Sequence, residues 1–429
     1  MKERIAIIDG LRTPMGKAGG ALKSVSADDL GAFAVRELLA RLPIPKEMID
    51  EVILGNVAQP SNAANIARVV ALKAGLSNSV PAYTVHRNCA SGMESITTAA
   101  NKILSGDAQI ILAGGTESMS NIPLMFGKKM TALFAQLQKA KTPWQKLKIL
   151  STFRLGFLAP VVGVVEGLTD PVCGLIMGLT GENLAREFHI TRLEQDQYAL
   201  NSHEKALRAI EKGLFQEETV PFPLPPKYDY VHTLDEGPRK GQTIEALQKL
   251  KPYFDKVNGT VTVGNSCPLT DGAAAVLLMK ESQAKEMRLT PMGYLREYAY
   301  AGLEPERMGL GPVYATSRLL DKAKITMKDI DLAELNEAFA VQVMANQKAF
   351  DSDDFSRKFL GKDKALGELR SDILNVNGGA VALGHPVGMT GTRIVITLLK
   401  ELKRRNLQRG LATLCVGGGQ GAALLVEVN

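Results

Sequence analysis

Short apolar runs alternate with helical periodicity along the first part of the chain. Ile5–Ile8, Glu51–Gly55, Ala82–Val85 and Ala108–Gly114 read as strands, while Ala27–Arg41, Asn65–Ala74 and Ala90–Leu104 carry the spacing of helices. Strands separated by helices of this length predict a mostly parallel α/β sheet. The alternation lapses from Asn121 to about Asn258, where Pro221, Pro223, Pro225 and Pro226 cluster and the evident elements are helices such as Gly181–Glu187 and Arg192–Glu211. Gly259–Gly264, with its Thr-Val-Thr-Val run, reads as a strand again, and Asp271–Met279 as another apolar segment. From about Met292 the alternation returns, ending in Ala412–Cys415 and Ala422–Val428.

The two ends of the chain rhyme. Each has a turn of small residues entering a helix, Cys89-Ala90-Ser91-Gly92 and Gly384-His385-Pro386-Val387-Gly388. Each also has a strand followed by glycines, Ala113-Gly114-Gly115 and Val416-Gly417-Gly418-Gly419. An internal duplication follows, with the irregular segment as an insertion. A chain of 429 residues exceeds one ordinary core. The expected division is residues 1–119 plus 259–281 as one unit, 120–258 as an inserted loop domain, and 282–429 as a second unit.

Composition narrows the function classes. Charged residues are 22% and hydrophobic ones 45%, which is the balance of a folded globular chain. A net charge of +6 admits an anionic ligand without demanding a polyanion, and no basic-aromatic motif points to nucleic acid. The four cysteines, Cys89, Cys173, Cys267 and Cys415, show no metal-ligand spacing and no disulfide framework. Met1-Lys2-Glu3-Arg4 leads straight into apolar Ile5–Ile8 without a secretory pattern, and no long uncharged apolar stretch predicts a membrane span. The expected location is the cytoplasm.

Candidate chemistry sits at the small-residue turns. Cys89 lies between a strand pattern and a helix start, where a side chain is exposed at the sheet edge and the helix N-terminus favours the thiolate. His385 stands among glycines with Pro386 opening a helix, and a neutral imidazole near a thiol is its usual activating base. Cys415 precedes Val416-Gly417-Gly418-Gly419-Gln420-Gly421, whose backbone N–H groups could face an oxyanion. That loop lacks the Lys-Ser/Thr of a phosphate-binding P-loop.

In this order and at these separations the segments His86-Arg87-Asn88-Cys89-Ala90-Ser91-Gly92, Asn336-Glu337-Ala338-Phe339-Ala340, Gly384-His385-Pro386-Val387-Gly388 and Cys415-Val416-Gly417-Gly418-Gly419 resemble the signature blocks of thiolases. The similarity runs end to end and includes Gly259-Thr260-Val261-Thr262 and Asp271-Gly272-Ala273-Ala274-Ala275. It implies a thiolase-like fold, two duplicated α/β halves layered α-β-α-β-α with an inserted loop domain. It also implies roles: Cys89 as the acylated nucleophile, His385 as its activator, Cys415 as the acid/base at the alpha carbon, and Asn336 as the holder of an enolate-stabilising water. The N–H groups of Cys89 and Gly417 would form a second oxyanion hole. No cofactor is implied; coenzyme A is a substrate. Its binding carries over to Met177, Arg239, Phe254, Cys267 and Phe339. Cys267 departs from the Ser or Thr usual in the family.

Between Glu117 and Glu166 there is no acidic residue, while Lys128, Lys129, Lys139, Lys141, Lys146, Lys148 and Arg154 are basic and Met130, Leu133, Phe134 and Leu137 fall at helical spacing. Such an element either packs its apolar face on the body or contacts anionic lipid or a partner subunit. Lys139-Ala140-Lys141, Gln145-Lys146-Leu147 and Phe153-Arg154-Leu155-Gly156-Phe157-Leu158-Ala159-Pro160 resemble the beta subunit of fatty-acid oxidation trifunctional complexes. That implies degradative 3-ketoacyl-CoA thiolase activity, a dimer or higher oligomer, a hydratase/dehydrogenase alpha subunit and peripheral membrane contact through 121–165. Against that subgroup's animal members, the chain keeps Asn336 where they carry His, and Val416-Gly417 where they carry two alanines. The competing function is biosynthetic, an acetyl-CoA acetyltransferase, which shares every catalytic block.

Overall fold

A computed structural model describes residues 3–428; Met1 and Lys2, the first half of the Met1–Arg4 run read above, lie outside it. Nine strands build the main sheet: β1 (Ile5–Arg12), β2 (Glu51–Gly55), β3 (Ala82–Val85), β4 (Ile111–Ser118), β5 (Thr270–Lys280), β6 (Gly293–Gly302), β7 (Leu332–Leu335), β8 (Arg409–Val416) and β9 (Gln420–Glu427). Their order is β7-β8-β9-β6-β1-β5-β4-β2-β3, and a short Gly16–Lys17 strand adds to β5. Read inward from either end, the halves are copies. In the first, β2 runs parallel to β4, β4 antiparallel to β5, and β5 antiparallel to β1. In the second, β7 runs parallel to β8, β8 antiparallel to β9, and β9 antiparallel to β6. A single parallel bridge, Ala333 to Leu374, stands where β3 stands in the first half. The halves meet through three residue pairs, Ile5–Ile7 against Gly293–Leu295.

The sheet is therefore mixed rather than mostly parallel. The last strand of each half returns antiparallel beside the one before it, and the tight turn between β8 and β9, with Gly418 and Gly419 at φ +90° and +78°, can join only antiparallel strands.

Helices form three layers around the two half-sheets. On the outer face of the first half lie α1 (Ala27–Arg41) and α2 (Ile66–Lys73), sharing a core of Leu30, Val35 and Val70 with Val52, Leu112 and Leu277. Between the halves lie α3 (Ser91–Ser105) and, further along the chain, α10 (Val387–Arg404). The helices of eight residues or more between them in sequence are α4 (Lys128–Lys139), α5 (Pro143–Leu150), α6 (Met177–Glu187), α7 (Arg192–Glu211), α8 (Gly311–Ala323) and α9 (Ala340–Phe350). Of these, α6, α8 and α9 cover the second half. Truncating a fully buried side chain of the middle layer, such as Ile396, is expected to cost about 2–5 kcal/mol.

Three readings need correction. Gly259–Gly264 is not a strand: Glu182 binds the N–H groups of Thr260 and Val261, and Asn265 binds that of Thr262, so local side chains satisfy the backbone. The fourth strand begins at Ile111 rather than Ala108, because Asp50 takes the N–H groups of Gln109 and Ile110. Gly114 and Gly115 lie inside that strand instead of after it. A Cβ on Gly115 would sit 1.9 Å from the carbonyl oxygen of Gly388, so the pair allows close approach of the segment leading into α10.

The residues between β4 and β5 are anchored to the sheet by Arg12, fully buried, which pairs with Glu218 and Asp235 at 2.7 Å each. The basic stretch forms α4 and α5, with Met130 and Leu133 buried. Leu124, Phe134, Trp144, Leu147 and Leu155 are exposed, Trp144 at 79% and Leu155 at 81%. Its apolar stripe is thus buried only in part, and α4 packs against α5 and the Leu155–Leu158 turn of the same stretch. Among the described residues no helix is long and apolar enough to cross a membrane.

Candidate active site

Two turns, one from each half, meet at the N-terminal ends of α3 and α10. The helices approach so closely that a Cβ on Gly92 would lie 2.7 Å from the Thr392 nitrogen, and one on Gly391 would lie 2.4 Å from the Met93 nitrogen. The turn before α3 carries Cys89, half-buried. Burial pushes its thiol up, opposed by the backbone N–H of Gly417, which favours the thiolate. The turn before α10 carries His385, buried to 6% exposure. Its Nδ1 lies 2.6 Å from Thr390 Oγ1, and its Nε2 lies 3.5 Å from Asn336 Nδ2. Burial and the nearby Arg393 guanidinium lower its pKa to about 3, so the imidazole rests neutral.

Cys415 ends β8, fully buried. Burial pushes its thiol well up, and the neighbouring Cys89 and Cys267 push it further. Cys267 is raised to about 12, by burial first and then by Cys89. Three of the four cysteines therefore share one space. Asn336, buried, follows β7 and leaves its Oδ1 without a protein partner. Such an arrangement suits covalent acyl chemistry. One thiol can be deprotonated by a neutral imidazole, a second thiol can carry a proton, and a glycine N–H and an amide are at hand for a developing oxyanion.

Most residues expected for the second substrate converge on the same place. Met177, at the start of α6, brings its sulfur to 3.3 Å from the position of a Gly417 Cβ. Phe254 meets Phe339 edge-to-face at 6.0 Å, and Cys267 donates its N–H to the Ala338 carbonyl. Arg239 is set apart. It is exposed and lines a cavity of about 330 Å³ with Lys17, His203, Gln242 and Ser266, and no carboxylate pairs with it among the described residues. Among the described residues no group of histidines, cysteines and carboxylates is arranged to hold a metal.

Two carboxylates that sequence reasoning passed over hold the His385 segment at both ends. Glu117 accepts from the N–H groups of Val57, Ala58 and Gly388 and from Asn56 Nδ2, at 2.9–3.1 Å. Glu337 accepts from Tyr198, Ser202, Asn375 and the Val381 N–H, at 2.7–3.0 Å. The one signal available was a Glu beside a small-residue or Asn position at a strand end, which is too common to single out.

Comparison with known proteins decides the family. The thiolase N-terminal domain matches residues 5–282 and the thiolase C-terminal domain residues 289–428. The chain belongs to the thiolase family. A 3-ketoacyl-CoA thiolase of Yersinia enterocolitica is 43% identical over 428 residues, all of this chain and 97% of the relative, and one of Serratia proteamaculans is 44% identical with the same coverage. Among solved structures, a Bacillus anthracis acetyl-CoA acetyltransferase superposes with a TM-score of 0.87 at 39% identity, covering 99% of each chain. A human mitochondrial 3-ketoacyl-CoA thiolase in complex with CoA does so at 0.86 and 36%, covering all of this thiolase and 98% of the other. The fold is the thiolase fold, and this thiolase is an acyltransferase.

Proposed function

We propose that this thiolase cleaves 3-ketoacyl-CoA with CoA, giving acetyl-CoA and a shortened acyl-CoA, in fatty-acid beta-oxidation. The reading is supported by the close approach of the helices that follow Cys89 and His385, by Asn336 Nδ2 at 3.5 Å from His385 Nε2, and by the mutual influence of the Cys89 and Cys415 thiols. His385 takes the Cys89 proton as the sulfur attacks the 3-keto carbon, whose oxygen turns toward the N–H groups of Cys89 and Gly417. The bond between carbons 2 and 3 then breaks. Its electron pair forms the acetyl-CoA enolate, steadied by His385 and a water on Asn336, and Cys415 supplies the proton to carbon 2. CoA next attacks the Cys89 thioester, its thiol proton passing back through the same groups, and the shortened acyl-CoA leaves.

In this reading Met177, Phe254, Phe339 and Cys267 line the pantetheine path, and Arg239 meets a phosphate or the adenine face. Residues 120–258 act as the inserted CoA-binding domain between units 1–119 plus 259–281 and 282–429. CoA-dependent loss of 3-ketoacyl-CoA absorbance from C4 to C16, with Cys89→Ala as control, tests the assignment. Activity that rises with chain length supports degradation; cleavage of acetoacetyl-CoA alone transfers the assignment to the acetyltransferase.

The exposed apolar positions among the lysines of 121–165 support a docking role for that arm, with a hydratase/dehydrogenase alpha subunit or an anionic lipid surface as the occupant. Co-purification and liposome flotation separate the two, and failure of both removes the role. We assign the chain to the cytoplasm as a homodimer, with β3 as an open sheet edge suited to pairing. Sedimentation velocity tests the dimer.

A further inference from the structure

Asn88, the residue before the proposed nucleophile, has a φ of +42°, a left-handed conformation uncommon outside glycine but tolerated by asparagine. The hydrogen bonds show what holds it. Its Nδ2 donates to the carbonyl oxygen of Gly417 at 2.7 Å, an acceptor that leaves no ambiguity about which end of the amide faces it. In return, the Gly417 N–H favours the Cys89 thiolate against the effect of burial. The turn on the other side of Asn88 is pinned too: Ser91 Oγ donates to the Asn88 carbonyl at 2.7 Å and accepts from the Arg87 N–H at 2.9 Å. Arg87 then reaches Gln420 at 3.1 Å and Glu94 at 2.5 Å, with its guanidinium 4.1 Å from the centre of the Tyr300 ring. Arg87, Asn88 and Cys89 thus each touch the Gly417–Gln420 turn of the opposite half.

We propose that Asn88 is a positioning residue: its side-chain amide latches the nucleophile turn of the first half to the Gly417 turn of the second. The latch aims the Gly417 N–H at the Cys89 sulfur and at the oxyanion formed on it. Glycine turns are the most permissive backbone, so without an external bond the Gly417 peptide would sample directions useless for catalysis. Asparagine suits the site twice, because it tolerates positive φ and carries a short donor.

The proposal rests on Cys89 being the nucleophile, and two variants separate its two halves. Asn88→Gly keeps the backbone conformation and loses the donor. Asn88→Asp keeps length and conformation but sets an acceptor against the Gly417 carbonyl. Both are measured for kcat, KM and the pH profile of Cys89 alkylation by iodoacetamide, which needs no turnover. Expected for Asn88→Gly are a kcat lowered about 10-fold with KM within about twofold and an alkylation midpoint shifted to higher pH, as loosening one oxyanion donor would do. Asn88→Asp should fall further on both counts. An Asn88→Gly enzyme with wild-type kcat and an unmoved alkylation profile overturns the latch. Full thiolysis by Cys89→Ala would instead overturn the assignment of the nucleophile and leave the latch without its purpose.

Discussion

At the end of the second strand of each half stands an asparagine, Asn56 after β2 and Asn336 after β7, each one residue beyond the last ladder pair, Gly55 with Gly115 and Leu335 with Thr413. Two residues further along the partner strands stand Glu117 and Cys415. In the first half this pair is closed on itself: Asn56 donates to Glu117, and Glu117 binds three backbone N–H groups besides. In the second half the partner position holds Cys415, a buried thiol beside two others, and Asn336 Nδ2 lies 3.5 Å from His385 Nε2; among the described residues the Oδ1 of Asn336, like that of Asn56, has no partner. One register has become a clamp in the first copy and a reactive site in the second. A duplicated scaffold supplies positions; whether a carboxylate that gathers backbone N–H groups or a thiol stands opposite the asparagine decides what each copy does.

The comparison can be broken by substitution, starting with the largest effect. Cys89→Ala should lower thiolysis about 10⁴-fold or more, as loss of a covalent nucleophile does. Cys415→Ala should cost about 10³-fold through its proton-transfer role while still permitting alkylation of Cys89. The paired asparagines give the sharpest contrast. Asn336→Ala should lower kcat about 10²-fold with an unchanged melting temperature. Asn56→Ala should instead destabilise the fold by about 1–3 kcal/mol, leaving a buried carboxylate short of a partner, with kcat nearly unchanged. If Asn56→Ala lost activity without losing stability, the division between clamp and site would fail.

A pH series adds a subtler test. Unfolded His385 takes up a proton near pH 6.5 and the folded imidazole only near 3, so between these values the unfolded chain binds more protons and stability falls as pH falls. By pH 4.5 the wild type should have lost about 3 kcal/mol relative to His385→Asn, seen as converging thermal midpoints. The smallest effect belongs to Cys267→Ser, expected to change the KM for CoA by about twofold or less, because a hydroxyl fits the same space and adds a modest hydrogen bond.

Much of this was legible in the chain itself. Cys89 and His385 stood out because reactive side chains among small residues at a strand-to-helix boundary are recognisable locally, although the fold leaves Cys89 half-buried and His385 buried rather than exposed. Helix bounds held within a residue for most, because the periods are local, and Arg192–Glu211 appears as read, but the helix expected over Gly181–Glu187 begins four residues earlier, at Met177. The clamp was not legible. Asn56 meets Glu117 across 61 residues, and the bonds to Gly388 cross 271, so only the assembled sheet brings them together. Gly259–Gly264 misled because alternating Thr and Val mimics a strand where a distant carboxylate, Glu182, takes the backbone bonds instead. Asn88 reads as a turn former, and nothing in its neighbours announces a bond to Gly417, 329 residues away.

The crossing of α3 and α10 at Gly92 and Gly391 works as a spacer gauge. Each glycine lies a few residues from a reactive side chain, so the bulk at these two positions sets the gap between thiol and imidazole. One methyl group at either position would wedge the helices apart and widen that gap by a fraction of an ångström. An alanine there would leave every reactive residue in place, and the enzyme would be out of calibration.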